Sequence, residues 1–305
     1  MIDQSGQAAH APAHILTGVL PSERLLFASD LVCLGTFRAA PHDAGFDGGY
    51  PCTGHLVVFP RRAAWIQHEG GRPFVADPAT VPLYNRGQVY HRAVIDPRGD
   101  ECEWMAFPSA VLLSALRELD HRTQDSPDAP FDIAAAPGSG ELYAAQRRLF
   151  AAASALEATP GGDPGHAPGE IEERALGVLD LMLRRYVGEP RPARHSPGPR
   201  EAIEEARRLV YIEGSSPMPL AVMAARCGMS PYRLCREFRR LTGMTISAYR
   251  TRLRLFNSLE ALPRAADLSD LALASGFCSH SHFGAAFRRE FSITPSRLRD
   301  ELSRN

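Results

Sequence analysis

The apolar positions along this chain change their period near Pro108. From Ile15 to about Phe107 they come in short runs: "RLLFASDLVCLGTF", "GHLVVFPRRAAWIQ", "RPFVADPATVPLYNRG" and "ECEWMAFP". The stretches "PHDAGFDGGYP", "EGG" and "DPRGD" separate them. Runs rich in Val, Phe, Tyr and Trp at this spacing predict the strands of an all-β barrel or sandwich. After Pro108 the period becomes helical. In "SAVLLSALRELDHR", Val111, Leu112, Ala115, Leu116 and Leu119 share one stripe. "SGELYAAQRRLFAAASALE" and "GEIEERALGVLDLMLRRYV" predict two more helices, parted by the Pro/Gly-rich "TPGGDPGHAPG". On the second of these, Leu176, Leu179, Leu183 and Tyr186 make an apolar seam. It packs either within the chain or against a second subunit, so these four are the dimerisation candidates.

The segment "GEPRPARHSPGPR", 188–200, is too rich in Pro and Gly for a helix or a central strand and predicts an interdomain linker. Beyond it the pattern is helical almost throughout. The expected organisation is a disordered tail over 1–14, a β-then-helix domain over 15–187, the linker, and an all-α domain over 201–305.

The last hundred residues contain an internal repeat. "LAVMAARCGMSPYRLCREFRRLTGMTISAYR" (220–250) aligns with "LSDLALASGFCSHSHFGAAFRREFSITPSRLR" (268–299) once one residue, Phe277, is inserted. Leu220 falls on Leu268, Ala224 on Ala272, Gly228 on Gly276, Ser230 on Ser279, and Phe238 on Phe287. Arg239 and Arg240 fall on Arg288 and Arg289. Each copy predicts a short helix ending at a left-handed glycine, a serine N-cap, and a second helix. The second helix buries an i, i+4 pair, Leu234/Phe238 or Phe283/Phe287, which turns its opposite face to solvent. Helix, tight turn, helix is the helix-turn-helix unit, whose second helix enters the DNA major groove. A helix from about Ile246 to Leu262, stopped by Pro263, joins the copies.

Charge points the same way. Residues 200–305 carry 17 Arg against 11 acidic residues, while the rest of the chain is net acidic. A basic third on an acidic body suggests an anionic partner.

The stretches "LAVMAARCGMS..L.REF...TGMT...YR", "R..RL...LEAL" and "LALASGFCSHSHF...FRREFSITP" resemble the AraC/XylS-type transcriptional regulators over roughly 200–305. The resemblance implies two helix-turn-helix units reading successive major grooves. Carried onto this sequence, it nominates Ser230, Tyr232, Arg233, Cys235 and Arg236 in copy one and Ser279, His280, Ser281 and His282 in copy two. Arg236 is the candidate for a bidentate guanine contact. Arg239, Arg240, Arg288 and Arg289 are candidates for phosphate contacts. Copy two departs from the pattern: Ala285 stands where copy one has Arg236, Gly284 precedes it, and Ser292 replaces the glycine that copy one keeps at Gly243. More weakly, the N-terminal half resembles the cupin-like effector-binding and dimerisation domain of such regulators. The fold class expected is therefore α+β: a cupin-like β-barrel followed by helices, then an all-α domain of two helix-turn-helix units joined by a linking helix.

Other chemistry is sparse. Cys278, His280 and His282 crowd together, but His280 and His282 are two apart on a helix and point away from each other, and structural zinc needs four ligands. His42, His55, His91, Cys52, Cys102 and Glu103 lack the paired-histidine cupin metal pattern. His42, His55, Trp65, Tyr84, Tyr90, His91 and Arg92 are the effector-pocket candidates. No GxSxG, HExxH, P-loop or GxGxxG occurs, so no catalytic centre, metal or cofactor is expected. The N-terminus has neither a basic region nor a continuous apolar run, and no run approaches the roughly 18 residues of a membrane span. With six Cys and no CxxC, reduced thiols and a cytoplasmic location are expected. The expected partners are double-stranded DNA, a small-molecule effector and a second copy of the chain. The alternatives are a ligand-independent dimeric regulator and a cupin-type enzyme with a helical accessory domain.

Overall fold

A computed structural model describes residues 23–119, 128–158, 168–188, 197–214 and 216–303. Among these residues ten strands come first, with one helix before the last of them. They are β1 (Glu23–Ala28), β2 (Cys33–Ala39), β3 (Gly48–Pro51), β4 (His55–Pro60), β5 (Ala64–His68), β6 (Phe74–Ala76), β7 (Thr80–Tyr84), β8 (Val89–Val94), β9 (Asp100–Phe107) and β10 (Ala135–Pro137). Helix α1 (Ser109–Leu119) precedes β10, and α2 (Gly140–Ala158) and α3 (Pro168–Gly188) follow it. The strands form a six-stranded sheet, β1-β2-β9-β4-β7-β10, and a four-stranded sheet, β3-β8-β5-β6. Every pairing is antiparallel.

The larger sheet is covered on both faces. Leu34, Val57, Phe59, Val81, Leu83, Met105 and Phe107 pack against α1, α2 and α3. Their alternates Cys33, Val58, Tyr84, Trp104 and Ala106 pack toward the smaller sheet, with its Ala64, Ile66 and Ala76. This two-sided burial explains why β4 and β7 read as nearly unbroken apolar runs. At Gly35 a side chain is excluded, because a Cβ there would lie 2.2 Å from the Trp104 ring on the neighbouring strand. Strands β3, β8 and β10 are the additions to the sequence reading. β3 lies within the glycine-rich stretch read as a turn, and β10 is three residues long.

The α+β order is as expected, but the seam Leu176, Leu179, Leu183 and Tyr186 belongs to the protomer's own core. Leu179, Leu183 and Tyr186 are buried against α1, α2 and the larger sheet, and Leu176 packs against the same cluster. The Tyr186 hydroxyl also donates to Asp132 Oδ1 at 2.5 Å and accepts from the Asp132 amide at 3.0 Å. Within the described residues Leu179, Leu183 and Tyr186 are thus covered by the protomer itself, while Leu176 is half-buried.

The remaining elements are helical: α4 (Pro197–Ile212), α5 (Leu220–Arg226), α6 (Pro231–Thr242), α7 (Ile246–Ala261), α8 (Leu268–Ala274), α9 (His280–Phe291) and α10 (Pro295–Ser303). A 3-10 turn, Leu262–Arg264, ends α7 at Pro263. The expected tail, 1–14, and linker residues 189–196 lie outside the described residues. The last four linker residues, 197–200, are helical rather than irregular and form the first turn of α4. Proline is tolerated there because first-turn amides have no helical acceptor to lose.

One apolar cluster crosses the expected domain boundary. Ala79, Tyr143 and Ala144 share it with residues of α4 to α10, and the Tyr143 ring stacks on Phe256 at 4.6 Å and 5°.

Candidate nucleic-acid interface

The two copies of the repeat fold by the same local rules. After α5, the Met229 amide donates to Ala224 O at 2.9 Å and the Gly228 amide to Ala225 O at 3.1 Å. After α8, the Phe277 amide donates to Ala272 O at 3.0 Å and the Gly276 amide to Leu273 O at 2.9 Å. These are matching Schellman ends, and both glycines have positive φ, 63° and 80°. Ser230 then accepts from the Arg233 amide at 3.3 Å, and Ser279 from the His282 amide at 3.1 Å. Each serine thus caps its helix as the sequence predicts, and its hydroxyl is engaged there.

Burial fixes which faces of α6 and α9 are free. Leu234, Phe238, Phe283 and Phe287 are fully buried. Opposite them, Tyr232, Arg233, Cys235, Arg236, Arg239 and Arg240 are exposed on α6, and His280, Ser281, His282, Arg288 and Arg289 on α9. Ala285 is also exposed, so copy two presents a methyl group where copy one presents a guanidinium. The exposed arginines of α6 are organised by an acid that the sequence reading passed over. Glu237 Oε1 accepts from Arg236 Nη2 at 2.9 Å, and Oε2 accepts from Arg240 Nε at 2.8 Å. Hydrogen bonds from Arg240 and then Arg236 hold the Glu237 carboxyl below the usual carboxylate range. The spacing Arg-Glu-x-x-Arg was the available signal.

At the start of α9, Cys278 Sγ and His282 Nδ1 meet at 3.2 Å, while His280 lies on another face. Among the described residues no group of three or more His, Cys, Asp and Glu is arranged to hold a metal ion.

The effector candidates divide by strand parity. Tyr84, Tyr90 and Arg92 line a cavity of about 40 Å³ between the two sheets, with Phe37, Asp100 and Trp104. Arg92 Nε lies 2.9 Å from Asp100 Oδ2, its Nη2 donates to the Tyr90 hydroxyl at 2.8 Å, and its guanidinium sits 4.2 Å from the Phe37 ring centre. Burial opposes the charge on Arg92, but Tyr90 and Asp100 outweigh it and raise its pKa. Trp104 Nε1 is buried there without a hydrogen-bond partner among the described residues. The other four candidates are not in this cavity. His91 alternates with Tyr90 and Arg92 and points to solvent, and His42 is exposed on a loop. Trp65 packs with Ala63, Val75, Ile95 and Tyr211. His55 is buried by α1; its Nδ1 accepts from the Arg86 amide at 3.1 Å, so its Nε2 donates to Ser109 Oγ at 2.9 Å. Asp100 and Trp104 were missed, although they share the parity of Cys102, which also lines the cavity. Burial pushes the Cys33 thiol up to about 11 and Cys52 up to about 12, so both are packed thiols rather than thiolates.

Two equivalent N-capped helices, each turned outward by a buried i, i+4 pair and joined by one linking helix, define a tandem helix-turn-helix protein. A helix-turn-helix domain family matches residues 223–301. The regulatory protein SoxS of Salmonella typhimurium is 36% identical over 87 residues, covering 28% of this chain and 81% of SoxS. The chain belongs to the AraC/XylS family of regulators. The transcriptional regulator Rob of Salmonella typhimurium is 38% identical over 94 residues, 30% of this chain and 32% of Rob. The chain thus spans about a third of the length of that relative. A solved AraC-type regulator from Chromobacterium violaceum is 28% identical, with a TM-score of 0.33 over 35% of this chain and 97% of that one. Among the described residues no helix is long and apolar enough to cross a membrane.

Proposed function

We propose that this chain is a sequence-specific transcriptional regulator that reads double-stranded DNA through α6 and α9, with 201–305 as the reading domain and 15–187 as its sensing and dimerising domain. The observation that carries this is the solvent-facing set Tyr232, Arg233, Arg236 and Arg240 on α6, repeated in position on α9 as Ser281, His282, Ala285 and Arg289, where only the last keeps its guanidinium. Arg236 reads guanine, and Arg239, Arg240, Arg288 and Arg289 hold phosphates. The second helix, with Ala285 in the place of Arg236, reads less sequence. Selection of bound sequences from a random duplex pool tests this. Arg236→Ala should broaden base preference more than His282→Ala, by roughly tenfold at one base pair. The reverse order would sink the assignment. DNA reading also implies the cytoplasm as its place of action.

The sensing role is supported by the cavity around Tyr84, Tyr90 and Arg92. Its volume favours a second reading, in which the N-terminal domain only dimerises. About 40 Å³ leaves room for roughly three waters, so any larger effector must displace side chains. Melting the full chain against a panel of small molecules separates the readings. A compound that raises Tm in the native chain and fails to do so in Arg92→Ala supports the sensor; no shift across the panel supports the dimeriser. Sedimentation of the full chain decides whether it forms the homodimer.

A further inference from the structure

We propose that Glu237 is a positioning residue for DNA reading: its carboxylate fixes the guanidinium groups of Arg236 and Arg240 on the outer face of α6. The inference rests on the reading above, that α6 enters the major groove, and adds to it an acid that discriminates without touching a base.

Three observations carry it. First, one carboxylate serves both arginines. Arg236 donates to Glu237 Oε1 from Nε at 3.2 Å and from Nη2 at 2.9 Å. Arg240 reaches Oε2 from Nε at 2.8 Å and from Nη2 at 2.6 Å. Second, the acid is sheltered and the arginines project: the Glu237 side chain is 10% exposed, against 58% for Arg236 and 40% for Arg240. The ring of Tyr232, one turn earlier, lies 5.9 Å from the Arg236 guanidinium and bounds its movement. Third, the arrangement belongs to copy one alone. In the repeat, Arg236 and Glu237 align with Ala285 and Ala286. The acid that α9 does carry, Glu290, is engaged by Arg252 at 2.8 Å and by the Gly140 amide at 3.1 Å.

The physical consequence has two opposed parts. A carboxylate beside two arginines removes net positive charge from the groove-facing surface, which weakens attraction to any DNA. It also orders a side chain with many rotamers before binding, so less freedom is lost when the fork meets its guanine. Glu237 thus trades general affinity for discrimination.

The test uses the full chain and two duplexes, one selected by the native protein and one scrambled. Affinities are measured by fluorescence anisotropy over a range of salt. Glu237→Gln keeps the shape and removes the charge. It should bind the scrambled duplex more tightly, with a salt slope steeper by up to about one unit, while the selected-to-scrambled ratio falls roughly tenfold. Glu237→Asp keeps the charge but cannot span both arginines. It should lower the ratio with little change on the scrambled duplex. An unchanged ratio in both variants overturns the proposal, because Glu237 would then act only through its charge. A loss of affinity for both duplexes together with a lowered Tm also overturns it, because Glu237 would then act only through folding. Arg236→Ala is the control for the underlying reading: if it leaves the ratio intact, the assignment of α6 as a base reader fails, whatever Glu237 does.

Discussion

Arg207 on α4 ties the helical half to strands of the N-terminal half through a buried polar network. It is 8% exposed, and its whole guanidinium is committed. Nε donates to the Tyr249 hydroxyl at 2.8 Å, Nη1 to Glu204 Oε2 at 2.8 Å, and Nη2 to Val75 O at 2.8 Å and to Thr80 Oγ1. Asp77, fully buried on the β6–β7 turn, lies 3.5 Å away and accepts from Tyr249. Arg207→Ala takes the balancing cation from the buried Asp77 carboxylate, which keeps its hydrogen bonds from Ala79, Thr80 and Tyr249, and removes a donor from the Val75 carbonyl and the Thr80 hydroxyl. Deleting one member of a buried ion pair costs about 3–5 kcal/mol, a large part of the roughly 5–15 kcal/mol that holds a domain folded. Because these partners lie on both sides of the junction, the loss should uncouple it. The only two Trp, Trp65 and Trp104, are both in the N-terminal half, so their fluorescence follows that half in urea. Far-UV ellipticity also follows the C-terminal helices. The native chain should show coincident transitions by the two probes, and Arg207→Ala should separate them. Combining Arg207→Met with Asp77→Asn removes both charges and should recover most of the loss. A destabilisation of Arg207→Ala below about 1 kcal/mol, with the probes still coincident, would refute the reasoning.

Three further outcomes follow from the geometry. Burial lowers the His68 pKa to about 4, so its contribution is complete above pH 6.5 and is lost as the pH falls toward 4, by about 3 kcal/mol at most; His68→Phe keeps the ring contacts with Phe74 and Tyr84 and should flatten that part of the urea-stability profile. Ser292 caps α9 in the left-handed region at φ 58°, where copy one has Gly243, so Ser292→Gly should stabilise the chain by about 0.5 kcal/mol in thermal melts, the relieved strain exceeding the added chain entropy. A Cβ at Gly140 would lie 2.0 Å from the Glu290 backbone carbonyl, so Gly140→Ala should part α2 from α9 and lower stability by about 1–3 kcal/mol, read by urea unfolding.

What the sequence made legible was set by the range of the interactions involved. The repeat was readable because each part is local: the glycine C′ residue, the serine cap and the i, i+4 pair all act within one or two turns. The strands were readable as apolar runs, but not their faces. In β7 all five residues are buried, so no period of two betrays that Tyr84 faces the cavity while Leu83 faces the helices. Residue type alone therefore chose His91 and Trp65 beside Tyr90 and Arg92, and only the register separates them. The seam on α3 was recognisable as a buried face, but its partner was not. An amphipathic helix states that something covers it and leaves open whether that is α2 or a second subunit.

The same limit applies most strongly to α7, the helix that joins the two helix-turn-helix units. Its residues Tyr249, Arg252, Phe256 and Glu260 follow one another at three- and four-residue steps, and all four meet the N-terminal half. Tyr249 donates to Asp77, Arg252 to Gly138 O at 3.2 Å, and Glu260 accepts from Arg61 at 2.6 Å, while Phe256 stacks on Tyr143. On the other side of that contact, Arg61 and Asp77 each directly follow a cavity-lining residue, Pro60 and Ala76, and Glu103, which binds Arg61, follows Cys102. Consecutive Cα atoms are about 3.8 Å apart, so the wall of the cavity and the anchorage of α7 are one backbone step from each other on three strands. A close-packed wall does not absorb a displacement within that distance. Displacing these strands should therefore disturb the hydrogen bonds that seat α7. Under the proposed reading, the N-terminal half would act on α6 and α9 through α7, the helix between them, without covering either.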